Sequence, residues 1–157
     1  MKKYLILIII AVVVLIYIFL PSGDDSREIE VILDGVIQAG KEKNLDGVME
    51  HFSINYRDDY GATYPVVKNI AKTFFDKFDG FDGKYSDLTV SIDDTEEGEK
   101  QAVANFDISV SGIRSSIPTP ILGSGDVPQN LIVTLRKSKL TGWKIIKVEG
   151  VELEENF

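Results

Sequence analysis

Apolar residues follow three rhythms along this chain. From Tyr4 to Leu20 they are continuous, 17 in a row behind Lys2 and Lys3. From residue 25 to about 78 they recur at helical spacing. From residue 88 onward they alternate with polar residues. Ile29, Ile32, Leu33, Val36 and Ile37 stand at i, i+3, i+4, i+7 and i+8, one face of a helix. Asp25, with Glu28 three positions on, reads as its cap, and Gly40 with Lys41-Glu42-Lys43 as its end. Asn44 caps a second, shorter helix bearing Leu45, Val48, Met49 and Phe52. The stretch Ser53–Thr63 breaks period and reads as a turn-rich connection. A third helix begins at Thr63 or Tyr64, with Pro65 in its tolerated first turn, and carries Val67, Ile70, Ala71, Phe74, Phe75 and Phe78. Asp79-Gly80 and Asp82-Gly83 read as punctuation.

The period then drops to two. Leu88, Val90 and Ile92 define one strand; Ala102, Ala104, Phe106, Ile108 and Val110 a second; Leu131, Val133 and Leu135 a third; Trp143–Glu149 a fourth. A charged turn, Asp94–Glu99, joins the first two. A long connection of about 112–129, with Pro118, Pro120 and several aliphatic residues, separates the second from the third. Two functions for it stay open: a lid or partner-binding arm, or an extended hairpin packed on its own sheet. Helices followed by hairpin-linked strands predict an α+β domain, about three helices on a curved antiparallel sheet of about four strands.

The chain is 157 residues long, 44 % hydrophobic, with a net charge of −8 and no cysteine. The average hides the leader. Without residues 1–20 the apolar share falls to about 37 %, and removing Lys2 and Lys3 takes the charge to −10. At about 1.5 Å per residue, Tyr4–Leu20 extends about 25 Å as a helix, enough to span a bilayer if the lysines snorkel. No A-x-A-like cleavage site follows it, and a lipoprotein anchor would need a cysteine. The expectation is an uncleaved signal anchor over 1–20, a linker over 21–26 and a folded domain over 27–153. With lysines before the span and Asp24 and Asp25 after it, the N-terminus is expected in the cytoplasm and the domain in the periplasm or outside the cell. The acidic balance speaks against nucleic-acid binding, which needs a clustered basic surface.

Two stretches carry a family resemblance. His51–Phe78, HFSINYRDDYGATYPVVKNIAKTFFDKF, runs from a short helix through a Tyr- and Asp-rich turn into an aromatic helix. Asn130–Leu153, NLIVTLRKSKLTGWKIIKVEGVEL, is an alternating strand, a basic turn and Gly-Trp-Lys-Ile. In this order they resemble the nuclear-transport-factor-2-like superfamily, which includes ketosteroid isomerase and the SnoaL-like cyclases. The resemblance implies a cone-like sheet curled around the first helix and enclosing a pocket. It does not fix function, because that scaffold serves enzymes, carriers and assembly proteins. Membrane-tethered domains of this kind resemble parts of cell-envelope assemblies.

Enzymes on such a scaffold place acids and hydroxyls in the cavity, as ketosteroid isomerase does with Asp and Tyr. The strand residues assigned inward here, Leu88 to Leu135, include none that ionises. Tyr56, Asp58, Asp59 and Tyr60 form the chemical-looking cluster. They are either an Asp base with a Tyr donor at the pocket mouth, or turn-capping carboxylates with rings sealing the cone. Phe74, Phe78, Phe106, Ile108 and Trp143 are the expected pocket residues. His51, the only histidine, is expected at a helix end or facing solvent, with Glu50 on the wrong side to orient it. Neither the acidic turn Asp93–Glu99 nor Asp76, Asp79 and Asp82 matches a calcium loop, and Gly123-Ser124-Gly125 is no dinucleotide loop. No metal or cofactor is implied. The expected function is a membrane-anchored, non-catalytic module that holds a partner protein or a small hydrophobic ligand; the alternative is a small isomerase, dehydratase or hydrolase. The outer sheet face, with Thr89, Ser91, Asn105, Asp107, Ser109, Thr134 and Arg136, predicts a monomer or weak dimer.

Overall fold

The computed structural model describes residues 24–123 and 127–152. The expected anchor, residues 21–23 of the linker, Ser124, Gly125 and Leu153 lie outside these. No helix among the described residues is long and apolar enough to cross a membrane. The order is α1 (Asp25–Lys41), α2 (Leu45–Met49), α3 (Tyr64–Lys77), then β1 (Gly80–Asp94), β2 (Lys100–Arg114), β3 (Ile117–Leu122), β4 (Gln129–Ser138) and β5 (Gly142–Glu149).

Helix α1 buries Ile29 and Leu33, as its period requires. Its cap is Asp24, whose carboxylate accepts the Ser26 N–H at 3.3 Å. Asp25, the expected cap, sits in the first turn instead, and its carboxylate turns to the sheet, where Lys100 and Lys137 are better partners than one amide. Asn44 caps α2 by accepting the Gly47 N–H at 2.9 Å. Thr63 and Pro65 open α3 as expected. That helix buries no residue fully. Phe75 packs against Phe81 with the rings tilted by 60°, and Phe74 stacks on Phe78. Only Phe78, just beyond the helix, is buried.

The sheet is antiparallel and open, with five strands rather than four. Strand β1 starts at Gly80, well before Leu88, so Asp82-Gly83 lies within a strand. A bulge at Asp87 (φ 56°) shifts the register between Ser86 and Thr89. The extra residue puts Tyr85 and Leu88 on the same face. Strand β2 pairs with β1 along one edge. Its other edge is shared, β4 taking Lys100–Ile108 and β3 taking Val110–Arg114.

Strand β3 settles the question of the long connection. Arg114 pairs with Ile117 across a two-residue turn, Ser115-Ser116, with φ of 50° and 66°. Residues 117–122 are therefore a strand hydrogen-bonded to the sheet and not a free lid. Pro118 and Pro120 fit there because β3 lies at an edge, where missing donors are tolerated. The inner face is the one the alternation predicts. Ala102, Ala104, Phe106, Ile108, Leu131, Val133, Leu135, Trp143 and Ile145 are all buried, under α1 and the 52–64 segment.

Candidate functional site

Between the inner face, α1 and α3 lies a cavity of about 540 Å³, within the size range of small-molecule sites. Leu33, Val36 and Ile37 of α1 form one wall. Val67, Ile70, Ala71, Phe74 and Phe75 of α3 form another. Phe106, Ile108, Leu131 and Val133 make the floor. A helix with an apolar face and no fully buried residue is explained by this space, since much of its apolar side borders the cavity rather than side chains.

Of the expected pocket residues, Phe74, Phe106 and Ile108 line the cavity, while Phe78 and Trp143 do not. Phe78 is held beyond the cavity against Gly112, Phe74 and Phe81. Trp143 is buried and donates Nε1–H to Asp25 at 3.3 Å. Its indole nitrogen needs an acceptor, and the acceptor lies at the start of α1. Sequence reasoning missed the wall from Val67, Ile70 and Ala71, whose helical spacing was legible but reads equally as core.

The charged residues in the lining are Lys41, Asp58 and Asp82. Lys41 and Asp82 pair at 3.3 Å near the surface. Asp58 makes no ion pair among the described residues. Its Oδ1 accepts the backbone N–H of Tyr60 at 3.0 Å and of Ala62 at 2.8 Å, closing the turn. Its Oδ2 lies 3.5 Å from the Tyr56 hydroxyl. Tyr56 is buried, its ring edge-on to Phe52. Burial and the neighbouring Asp58 push its phenol up to about 12, against a backbone hydrogen bond from Val148 that acts the other way. Tyr56 and Asp58 are thus brought together in the cavity wall. Asp59 points elsewhere, to Lys147 at 2.8 Å. Tyr60 touches the cavity but is 80 % exposed.

A third tyrosine in the lining, Tyr85, donates to Asp34 on α1 at 2.8 Å; burial and that carboxylate raise its phenol. His51 sits just past α2, half-buried, with Nε2 3.7 Å from Glu50 Oε1. Glu50 is therefore nearer than helical geometry suggested, because the chain has left the helix, yet it is too far for a hydrogen bond. Burial lowers the His51 pKa, with Glu50 opposing.

No protein-family model matches the sequence, and no curated protein resembles it closely enough to count as a relative. Solved structures do match. A nuclear transport factor 2-like superfamily protein from Salmonella enterica superposes with a TM-score of 0.62 at 16 % identity, over 85 % of this chain and 94 % of that one. The fold is nuclear-transport-factor-2-like. Bd1075 of Bdellovibrio bacteriovorus matches with a TM-score of 0.61 at 11 % identity, over 80 % of this chain but 40 % of that one. The helical cell shape determining protein Pgp2 of Campylobacter jejuni gives 0.60 at 12 %, over 75 % and 38 %. The chain spans well under half the length of these two proteins, so their activities are not transferred with the fold.

Proposed function

We propose that this domain is a binding module that holds a small apolar ligand between α3 and the sheet. One observation carries the proposal: a cavity of about 540 Å³ with mostly aliphatic and aromatic walls, in which Tyr56 and Asp58 stand side by side. An α+β domain of this size that needed only to be stable would fill such a space, because empty apolar volume is destabilising. Substituting Ala71→Phe on α3 fills the cavity from its helical wall. It is expected to abolish binding of a neutral apolar fluorescent probe such as N-phenyl-1-naphthylamine while the melting temperature holds or rises. Unchanged probe binding refutes the proposal.

We further propose that Tyr4–Leu20 tethers the module to a membrane, N-terminus in the cytoplasm, with the domain on the far side beside cell-envelope partners. The lysines before the segment and the aspartates after it support that orientation. This chain also superposes on part of a longer helical cell shape determining protein. Retention in the membrane fraction after alkaline extraction, with a C-terminal tag digested by protease added outside the cytoplasmic membrane, tests it; release by alkali or a protected tag refutes it.

The enzymatic alternative draws on the approach of Asp58 to Tyr56. Against it, one oxygen of Asp58 is already committed to two backbone amides. A general base whose carboxylate also closes a turn has little freedom to move with a proton.

A further inference from the structure

We propose that the cavity selects neutral, hydroxyl-bearing apolar molecules and rejects anionic molecules of the same length. This deepens the ligand-binding proposal above and depends on it. Three observations carry the selection. Asp58 is the one charged residue in the lining without an ion pair among the described residues, since Lys41 and Asp82 neutralise each other. Its position is fixed, because Tyr60 and Ala62 donate their backbone N–H to Oδ1. Its other oxygen stands 3.5 Å from the Tyr56 hydroxyl, longer than the usual O–H···O bond.

Such a pair is joined only by a long bond, with the Val148 backbone also bonded to the Tyr56 oxygen. Tyr56 has a proton to donate and Asp58 Oδ2 has lone pairs to receive one. A ligand hydroxyl between them accepts from Tyr56 and donates to Asp58, giving each a short partner. A carboxylate has no proton for Asp58 and adds a like charge where apolar walls screen poorly. An ammonium suits Asp58 but has no acceptor for Tyr56. The chain's negative balance reinforces the rejection of anions.

The test uses the full chain held in amphipol, titrated with 1-octanol, octanoate and octylamine and followed by ligand-observed saturation-transfer NMR. Octanol is expected to bind at least tenfold tighter than octanoate. Asp58→Asn keeps an oxygen for the turn amides and is expected to erase that preference by admitting octanoate. Tyr56→Phe leaves the turn untouched and is expected to weaken octanol severalfold without helping octanoate. Octanoate binding as tightly as octanol, or octylamine binding tighter, overturns the selection while leaving the cavity a ligand site. No binding of any of the three, in wild type and Ala71→Phe alike, overturns the ligand-binding proposal itself.

Discussion

The Asp25 carboxylate lies 2.6 Å from the Lys100 ammonium, joining the first turn of α1 to the start of β2 across 75 residues of sequence. Its other oxygen accepts from Lys137 at 2.7 Å and from Trp143 Nε1 at 3.3 Å, and Lys137 also binds Glu28 at 2.9 Å. The two lysines hold the Asp25 carboxyl down at about 2. Asp25 is 13 % exposed, so this is a partly desolvated node rather than a surface pair. Asp25→Asn is expected to cost about 1–3 kcal/mol at pH 7, as for hydrogen bonds to charged groups. Because folding lowers this pKa, the contribution is full above the ordinary carboxylate range, about pH 4, and is lost as pH falls through about 2. Urea unfolding at pH 7 and pH 2.5 checks both points. Wild type and variant converge in acid; a gap of equal size at both values contradicts the charge-based account.

Gly112 is required by Phe78. A Cβ at position 112 would lie 2.5 Å from the Phe78 ring, which Phe74, Phe81 and Arg114 hold in place. Gly112→Ala is expected to destabilise by about 1–3 kcal/mol through overpacking. Adding Phe78→Leu recovers part of the loss, so the two changes are not additive. Thermal unfolding of the two singles and the double measures the coupling; strict additivity contradicts the contact.

The β2–β3 turn places two serines at positive φ, where L-residues other than Asn and Asp are strained. Ser115→Asn with Ser116→Gly supplies the favoured turn pair and keeps the Ser115 backbone N–H that Asp79 accepts at 2.8 Å. The double variant is expected to gain about 0.5–1 kcal/mol. A loss in chemical denaturation indicates that the serine side chains matter in some other way.

That turn also shows where the sequence stopped being readable. Alternation placed Phe106, Ile108, Leu131 and Val133 on the inner face because a period of two has one register that buries them. Ser-Ser carries no hairpin signal, and the prolines at 118 and 120 read as loop, so the sequence left an arm and an extended hairpin both open. Asp87 has no signal either; a bulge is a matter of pairing, visible only once Ser86 faces Asp107 and Thr89 faces Asn105. The extent of the cavity along α3 was illegible for a deeper reason. Val67, Ile70 and Phe74 show the same spacing whether they meet side chains or empty space. Tyr56 and Asp58 were legible as a pair of candidates two residues apart, but only the structure separates them from Asp59 and Tyr60.

His51 gives the chain a pH response near neutrality. Burial against Gly35, where a Cβ would lie 2.7 Å from Nε2, lowers its pKa below the ordinary histidine value, and the Lys144 charge acts in the same direction. A histidine held neutral by folding contributes stability above its unfolded pKa of about 6.5 and loses it as pH falls through the folded value. Stability is therefore expected to fall between pH 7 and 5, and His51→Gln to flatten that slope. Denaturation midpoints across this range decide it; an unchanged slope places the response elsewhere.

The outer face of the sheet bears on assembly. There the Asn130 amide donates to Asn105 at 2.8 Å and to Asp107 at 2.9 Å, linking β4 to β2 through a polar network complete in itself. Thr89, Ser91, Thr134 and Arg136 share the outward set, and Arg136 approaches Glu99 at 3.9 Å. A stable dimer buries about 800 Å² on each partner around an apolar centre. Here that centre would be amides, hydroxyls and an aspartate already satisfied by neighbours, so pairing would strip water from them for no new partner. Residues 24–157 are expected to run as a monomer at micromolar concentration in size-exclusion chromatography with light scattering. If a dimer forms, Asn105→Leu tests whether this face makes it: replacing a satisfied amide by an apolar side chain should strengthen pairing through the outer face and leave pairing through any other surface unchanged.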